Sequence, residues 1–290
     1  MKLITFTQGG NTRIGLARDD GVVDLSNTSL PTDMRAFLEA GEEAWAEASR
    51  VNQDGTVDFA LDDVKLEAPI TNPGKILAIG LNYGDHIAES GMEAPKHQTW
   101  FNKQWNAING PYDDFDIPEI APKLIDYEAE LCFVIGKRCR NVPAERAAEV
   151  IFGYCCGNDV SVRDWQFRAQ TMMMGKSWQT HAPIGPWLIT GDELGDPHAL
   201  DIRCWVNGEQ RQHSNTKHLI YNCFDQVAEL STAFELHPGD VIFSGTPSGV
   251  GIAMKPPKSL QDGDVVRIEI EGIGAIENRA VNAPTATIIE

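Results

Sequence analysis

Along most of the chain, apolar residues alternate with polar ones in short runs, the period-2 pattern of strands, and long amphipathic stretches are few. LITF, RIGLAR and GVVDLS near the start alternate in this way, with Asp19-Asp20-Gly21 as a turn signal between the last two, so the segment reads as a small meander. A helical pattern runs from Met34 through FLEAGEEAWAEASR, capped by Thr32 or Asp33, although Gly41 interrupts it. Thr71-Asn72-Pro73-Gly74 then marks a boundary, giving a small N-terminal α+β domain over 1–72 and a larger domain over 73–290. Beyond it lie the strand-like runs KILAIG (75–80), AELCFVIG (129–136), GPWLIT (185–190), LDIRCWVNG (200–208), GDVIFSG (239–245) and DVVRIEIEG (264–272). Turns rather than regularly spaced helices join them, which predicts an α+β, β-rich fold and not a doubly wound sheet. From Glu89 to Lys123 apolar repeats are sparse and Pro and Gly frequent, the pattern of a long functional loop or lid.

Charge narrows the partners. In 290 residues, 24 Lys and Arg stand against 42 Asp and Glu, a net charge of −18. Such a chain offers nucleic acid no cationic face, and an anionic membrane surface would repel it. No stretch approaches the roughly 18 apolar residues of a membrane span, and MKLITFTQGG lacks the form of a secretory leader, so a cytoplasmic enzyme is the expectation. The six cysteines are scattered without a CxxC pair and read as reduced, mostly buried residues.

The most informative string is DYEAELCFVIG. On a strand, Asp126, Glu128 and Glu130 share one face while Tyr127, Ala129, Leu131 and Phe133 share the other. Three acids this close resist burial unless a cation compensates them, and an all-oxygen cluster suits a hard divalent ion. A wet edge strand with an acidic face is an equal alternative on this string alone. Asp159 follows an apolar, Gly-bearing run, where an acid is placed to be a third ligand, and Ser161 and Asp164 have the spacing of a capping box. Arg163 and Gln166, three apart, share a helical face suited to gripping a carboxylate or keto oxygen.

After KILAIG, His86 and Glu89 are also three apart, so the carboxylate can orient the imidazole as a general base, a spacing common on surfaces too. Lys176 sits in the otherwise uncharged string GKSWQTHAPIGP, consistent with an ammonium that faces a site. In HPGDVIFSGTPSGVG a strand ends in a Gly-rich turn with Thr246 at its tip; backbone N–H groups and the hydroxyl can hold a small carboxylate, and a plain tight turn is nearly as good a reading. Met172 to Met174 read as core or helix lining, and His181, His213, His218 and His237 have no ligand spacing with one another.

In order, GLNYGDHIAESG, DYEAELCFVIG, GYCCGNDVSVRDWQ, GKSWQTHAPIGP, VNGEQRQ, HPGDVIFSGTPSGVG and LQDGDVVRIEIEGIG resemble the fumarylacetoacetate hydrolase superfamily, of the bacterial acylpyruvate hydrolase type, over about residues 75 to 280. The resemblance implies a mixed β-roll catalytic domain, usually in a homodimer. It implies one Mg²⁺ or Mn²⁺ per subunit, held by Glu128, Glu130 and Asp159, and a His86/Glu89 pair that activates water. Lys176, Arg163, Gln166 and Thr246 fall where family members meet substrate oxygens. The implied reaction is hydrolysis of a C–C bond in a small anionic 2,4-diketo acid, with decarboxylation or keto–enol tautomerisation of an oxaloacetate-like β-keto diacid as the alternative. Many members carry an acid where this chain has Gln179.

Overall fold

The computed structural model describes every residue except 91, 92, 94 and 290, and of Ser90 the backbone alone. The alternating runs assemble into one large sheet in the order Gly21–Asp24, Asn11–Arg18, Lys2–Gln8, Ala182–Thr190, Ile151–Asn158, Ala129–Ile135, Val241–Phe243, Ile76–Gly80 and Thr99–Lys103. Along this path neighbours are antiparallel, except that Val241–Phe243 runs parallel to Ile76–Gly80. The N-terminal meander joins through the pairs Lys2↔Ile189 and Leu3↔Leu188. A five-stranded sheet, ordered Glu209–Asn215, Asp201–Val206, Val265–Ile270, Gly274–Ala283 and Phe115–Pro118, covers part of the large one. The fold is mixed α+β and rich in strand.

Both faces of Ala129–Ile135 are buried, which is why its sequence is nearly continuous in apolar residues. Leu131 and Phe133 pack with Ile202, Val266 and Ile268 of the second sheet. On the opposite face, Cys132 and Val134 join a core shared with Leu3, Phe37 and Ala48 from the N-terminal strands and helices. All six cysteines are free and buried. Among the described residues, no helix is long and apolar enough to cross a membrane.

Two expectations change. The N-terminal helical pattern is two helices, Met34–Glu39 and Glu42–Asp54, because Gly41 takes a φ of 78° between them. Asp33 caps the first, its side chain accepting the Ala36 N–H at 2.9 Å. Nor is the stretch from Glu89 to Lys123 a plain loop; its residues 91, 92 and 94 lie outside the described ones, but it contributes the strands Thr99–Lys103, Ile108–Asn109 and Phe115–Pro118. TWFNK is rich in strand-forming residues, and adding it to Ile76–Gly80 closes one edge of the large sheet.

Candidate active site and metal centre

The acidic string is split between two strands. Ile125–Asp126 pairs with Ser161–Val162, and Ala129–Ile135 begins beyond Glu128. Glu128, Glu130 and Asp159 converge so that one carboxylate oxygen from each lies within 4.8 Å of the others. They are 6%, 1% and 0% exposed, and Ala129–Ile135, which carries Glu130, lies between two other strands, so the wet-edge alternative fails. Asp126 turns away: its carboxylate accepts from Arg163 Nε (2.9 Å) and from the backbone N–H groups of Gly251 (2.8 Å) and Ile252 (3.0 Å).

Three buried cations answer the acids. Lys176 Nζ donates to Glu128 (2.7 Å) and Asp159 (2.8 Å), Arg163 Nη1 lies 2.7 Å from Glu128, and Lys103 Nζ donates to the other oxygen of Asp159 at 2.6 Å. Burial pushes the Glu128 carboxyl up, but Lys176 and Arg163 outweigh it and hold the group down to about 2. Glu130 goes the other way. Its burial, then the charges of Asp159 and Glu128, push it well above the usual carboxylate range. A three-oxygen cluster in which one acid resists ionisation is chemically suited to a hard divalent ion, whose charge would remove that conflict.

The helical segments carrying the cations press together. Arg163–Gln166 and Met173–Lys176 approach so closely that a Cβ at Gly175 would stand 2.3 Å from the Gln166 backbone nitrogen. Arg163 also donates to Gln166 Oε1 at 3.0 Å, so its guanidinium is tied to Asp126, Glu128 and Gln166. The capping box at Ser161 and Asp164 does not form. Ser161 lies in a strand, its hydroxyl donates to the Asp159 carbonyl, and the helix starts at Arg163 without a side-chain cap.

The Gly-rich turn uses its N–H groups on the protein's own acids. Gly245 N donates to Glu130 (2.6 Å), Gly249 N to Glu89 (2.9 Å), and Gly251 and Ile252 to Asp126. The expectation of a backbone cradle for substrate therefore narrows to Thr246, whose Oγ1 accepts from Gln212 Nε2 at 2.8 Å and keeps its own proton for a further partner.

His86 and Glu89 lie on the Gly84–Ser90 helix, but Nδ1 stands 3.6 Å from the nearest Glu89 oxygen and has no hydrogen-bond partner among the described residues. Both residues line a cavity of about 460 Å³ together with Glu128, Glu130, Arg163, Gln166, Lys176 and Thr246. So every sequence-predicted site residue except Asp159, which stands behind Lys176, borders one space. Apart from Thr99, the rest of its wall is apolar, including Ile79, Phe101, Phe167, Met172 and Ile252.

Residues 75–281 match the family model of the fumarylacetoacetate hydrolase C-terminal domain. The chain belongs to the fumarylacetoacetate hydrolase family. Over 289 residues it is 43% identical to a mitochondrial oxaloacetate tautomerase of Xenopus laevis, covering 97% of this chain and 90% of that protein. A rat protein of the same description is 40% identical over 264 residues, covering 90% and 84%. Among solved structures, fumarylacetoacetate hydrolase from Exiguobacterium antarcticum superposes with a TM-score of 0.84 at 34% identity, covering 98% of this chain and 100% of that one. Maleylpyruvate hydrolase from Sphingobium sp. SYK-6, in complex with manganese(II) ion and pyruvate, gives 0.82 at 31% identity with the same coverage.

These family members bring one correction and one shift. Relatives described as mitochondrial overturn the expectation of a cytoplasmic protein, which rested on the lack of a recognisable leader, a feature that does not fix a compartment. The Xenopus and rat relatives are described as oxaloacetate tautomerases, whereas the leading expectation is hydrolysis of a C–C bond. Sequence reasoning also missed Lys103, fully buried against Asp159. Its signal was the alternation of Phe101 and Lys103 in TWFNK, two buried positions on one strand face.

Proposed function

We propose that this protein is a divalent-metal-dependent enzyme that interconverts the keto and enol forms of a short 2-oxo diacid of the oxaloacetate type. The observation that carries this reading is the state of the dyad. Glu89 is held by the Gly249 N–H rather than by His86, whose Nδ1 has no hydrogen-bond partner among the described residues. Tautomerisation requires one proton carrier beside the substrate; hydrolysis requires an assembled pair that activates water. Relatives at 43% and 40% identity described as oxaloacetate tautomerases support the same choice.

Glu128, Glu130 and Asp159 would hold one Mg²⁺ or Mn²⁺ per subunit, which would supply Lewis acidity toward the 2-oxo oxygen. Lys176 donates hydrogen bonds through two of its three N–H groups to Glu128 and Asp159, so one N–H remains for the oxygen that gains charge. The Thr246 hydroxyl and the Gln166 amide bind the carboxylate, with Arg163 fixing Gln166 in place. His86 takes the proton from the carbon beside the 2-oxo group or returns it there. The reaction moves one proton from carbon to oxygen, consumes no water and breaks no C–C bond.

A second reading, hydrolysis of a 2,4-diketo acid, is favoured by the apolar half of the cavity, which offers a place for an acyl tail. One experiment separates the two. Purified protein with Mn²⁺ is given oxaloacetate and, separately, a panel of acylpyruvates, following the enol absorbance and pyruvate release. Faster enol decay with oxaloacetate, without pyruvate or CO₂, supports the tautomerase. Pyruvate from acylpyruvates alone supports the hydrolase, and CO₂ from oxaloacetate would make it a decarboxylase.

A further inference from the structure

Next to His86 stands an acid that the chemistry above leaves unused. Asp85 is not among the residues lining the cavity, yet its carboxylate joins three elements. Oδ1 accepts the His86 backbone N–H (2.8 Å), while Oδ2 accepts the hydroxyls of Ser214 (3.1 Å), on the strand Glu209–Asn215, and Ser248 (3.3 Å), in the Gly-rich turn. Ser214 Oγ lies in turn 3.2 Å from His218 Nδ1.

The helix is fixed unevenly. Its root is firm: Asn82 is fully buried, donates to the carbonyls of Tyr221 and Ser244, and accepts the Tyr221 N–H. Beyond the root, the described polar ties from side chains of Gly84–Ser90 to the rest of the protein are those of Asp85 and of Glu89 to Gly249. Ser248 and Gly249 are adjacent, and the same turn holds Glu130 through Gly245 and Asp126 through Gly251 and Ile252. One turn therefore grips both the carboxylate centre and the helix that carries His86.

We propose that Asp85 is a positioning residue, which clips the His86 helix to Ser214 and Ser248 and so sets the imidazole at its working distance from the carboxylate centre. It touches no reacting atom and acts through His86. Proton transfer is steep in donor–acceptor distance, so loosening the clip lowers turnover without removing a substrate contact. An Asn at this position keeps an oxygen able to accept both hydroxyls, whereas Ala keeps none.

The test compares wild type, Asp85→Ala, Asp85→Asn and the double variant Ser214→Ala/Ser248→Ala as Mn²⁺-loaded full-length protein. The rate readout rests on the tautomerase reading; backbone amide exchange over 84–89 does not. For Asp85→Ala, kcat on oxaloacetate should fall by about 10- to 100-fold with KM within about threefold, and the 84–89 amides should exchange faster. Asp85→Asn should recover most of both, the double variant should resemble Asp85→Ala, and Mn²⁺ affinity should stay at the wild-type value throughout. Unchanged exchange over 84–89 in Asp85→Ala, or a KM rise with kcat intact, overturns the proposal. If wild type does not act on oxaloacetate, the tautomerase reading fails while the exchange measurement still decides the role of Asp85.

Discussion

The carboxylate centre and the helix beside it use the same kinds of group in opposite ways. At the centre, Asp126, Glu128, Glu130 and Asp159 are buried against Lys103, Arg163 and Lys176, and nearly every oxygen has a short partner on a strand, a tightly packed helix or the Gly-rich turn. On Gly84–Ser90, among the described residues, Asp85 and Glu89 meet only two hydroxyls and one turn N–H beyond their own helix. Charges taken out of water have to be matched completely, so the centre is rigid by necessity. A group that must approach and leave a substrate carbon cannot be held in that way. The difference separates the part that binds from the part that moves a proton.

The sharpest way to break this comparison is at Asp159. Asp159→Ala leaves Lys103, among the described residues, with only the Val160 carbonyl at 3.4 Å, and should cost about 3–5 kcal/mol in denaturant unfolding while abolishing Mn²⁺ binding in calorimetry. Retained binding would remove Asp159 from the ligand set. On the other side, His86→Ala should lower turnover by about 10²- to 10⁴-fold with little change in melting temperature or Mn²⁺ affinity. A large loss of stability instead would mean that the helix is as rigid as the centre.

A pH experiment sharpens the inner side. His181 is fully buried, its Nε2–H donates to the Asp116 carbonyl (2.6 Å), and burial, with the nearby Lys103 charge, brings its imidazole down to about 3. The unfolded chain binds this proton at the ordinary histidine pKa of about 6.5, so folding stability contributed here is present above that value and is lost as pH falls toward 3. Wild type should lose up to about 1.4 kcal/mol per pH unit in that window from this residue, and His181→Gln should flatten the profile. The smallest effect expected is at Lys103. Lys103→Met removes a cation that competes for Asp159, and should tighten Mn²⁺ binding by roughly tenfold while the metal-free protein becomes less stable. Weaker binding in this variant would make Lys103 a support for the ligand and not a competitor.

Much of the centre was legible because it is local. DYEAELCFVIG displays its acids at strand spacing, Asp159 ends an apolar run, and Lys176 is the lone charge in its string, so each could be singled out without knowing its neighbours. The partners were not legible. Lys103 sits 56 residues from Asp159 in a stretch whose composition predicts a loop, and the turn N–H groups that hold Glu130 and Asp126 come from over 100 residues away. No short-range pattern encodes such pairings. The misread helix start at Ser161 has the same cause, since pairing with Ile125–Asp126 overrides a good local cap signal. The N-terminal helix break was legible in Gly41 for the opposite reason: a positive φ is a property of one residue.

The contact at Gly175 has a consequence for how this site can diversify. With no room for a single added carbon between the segments bearing Lys176 and Gln166, the polar wall of the cavity is closed to gradual change. Variation in the molecules accepted must come from the apolar part of the wall carried by other segments, around Ile79, Ile252 and Ala253. A mutant library placed there would sample new substrates on an unaltered chemistry, whereas one placed at 175 would sample misfolded proteins.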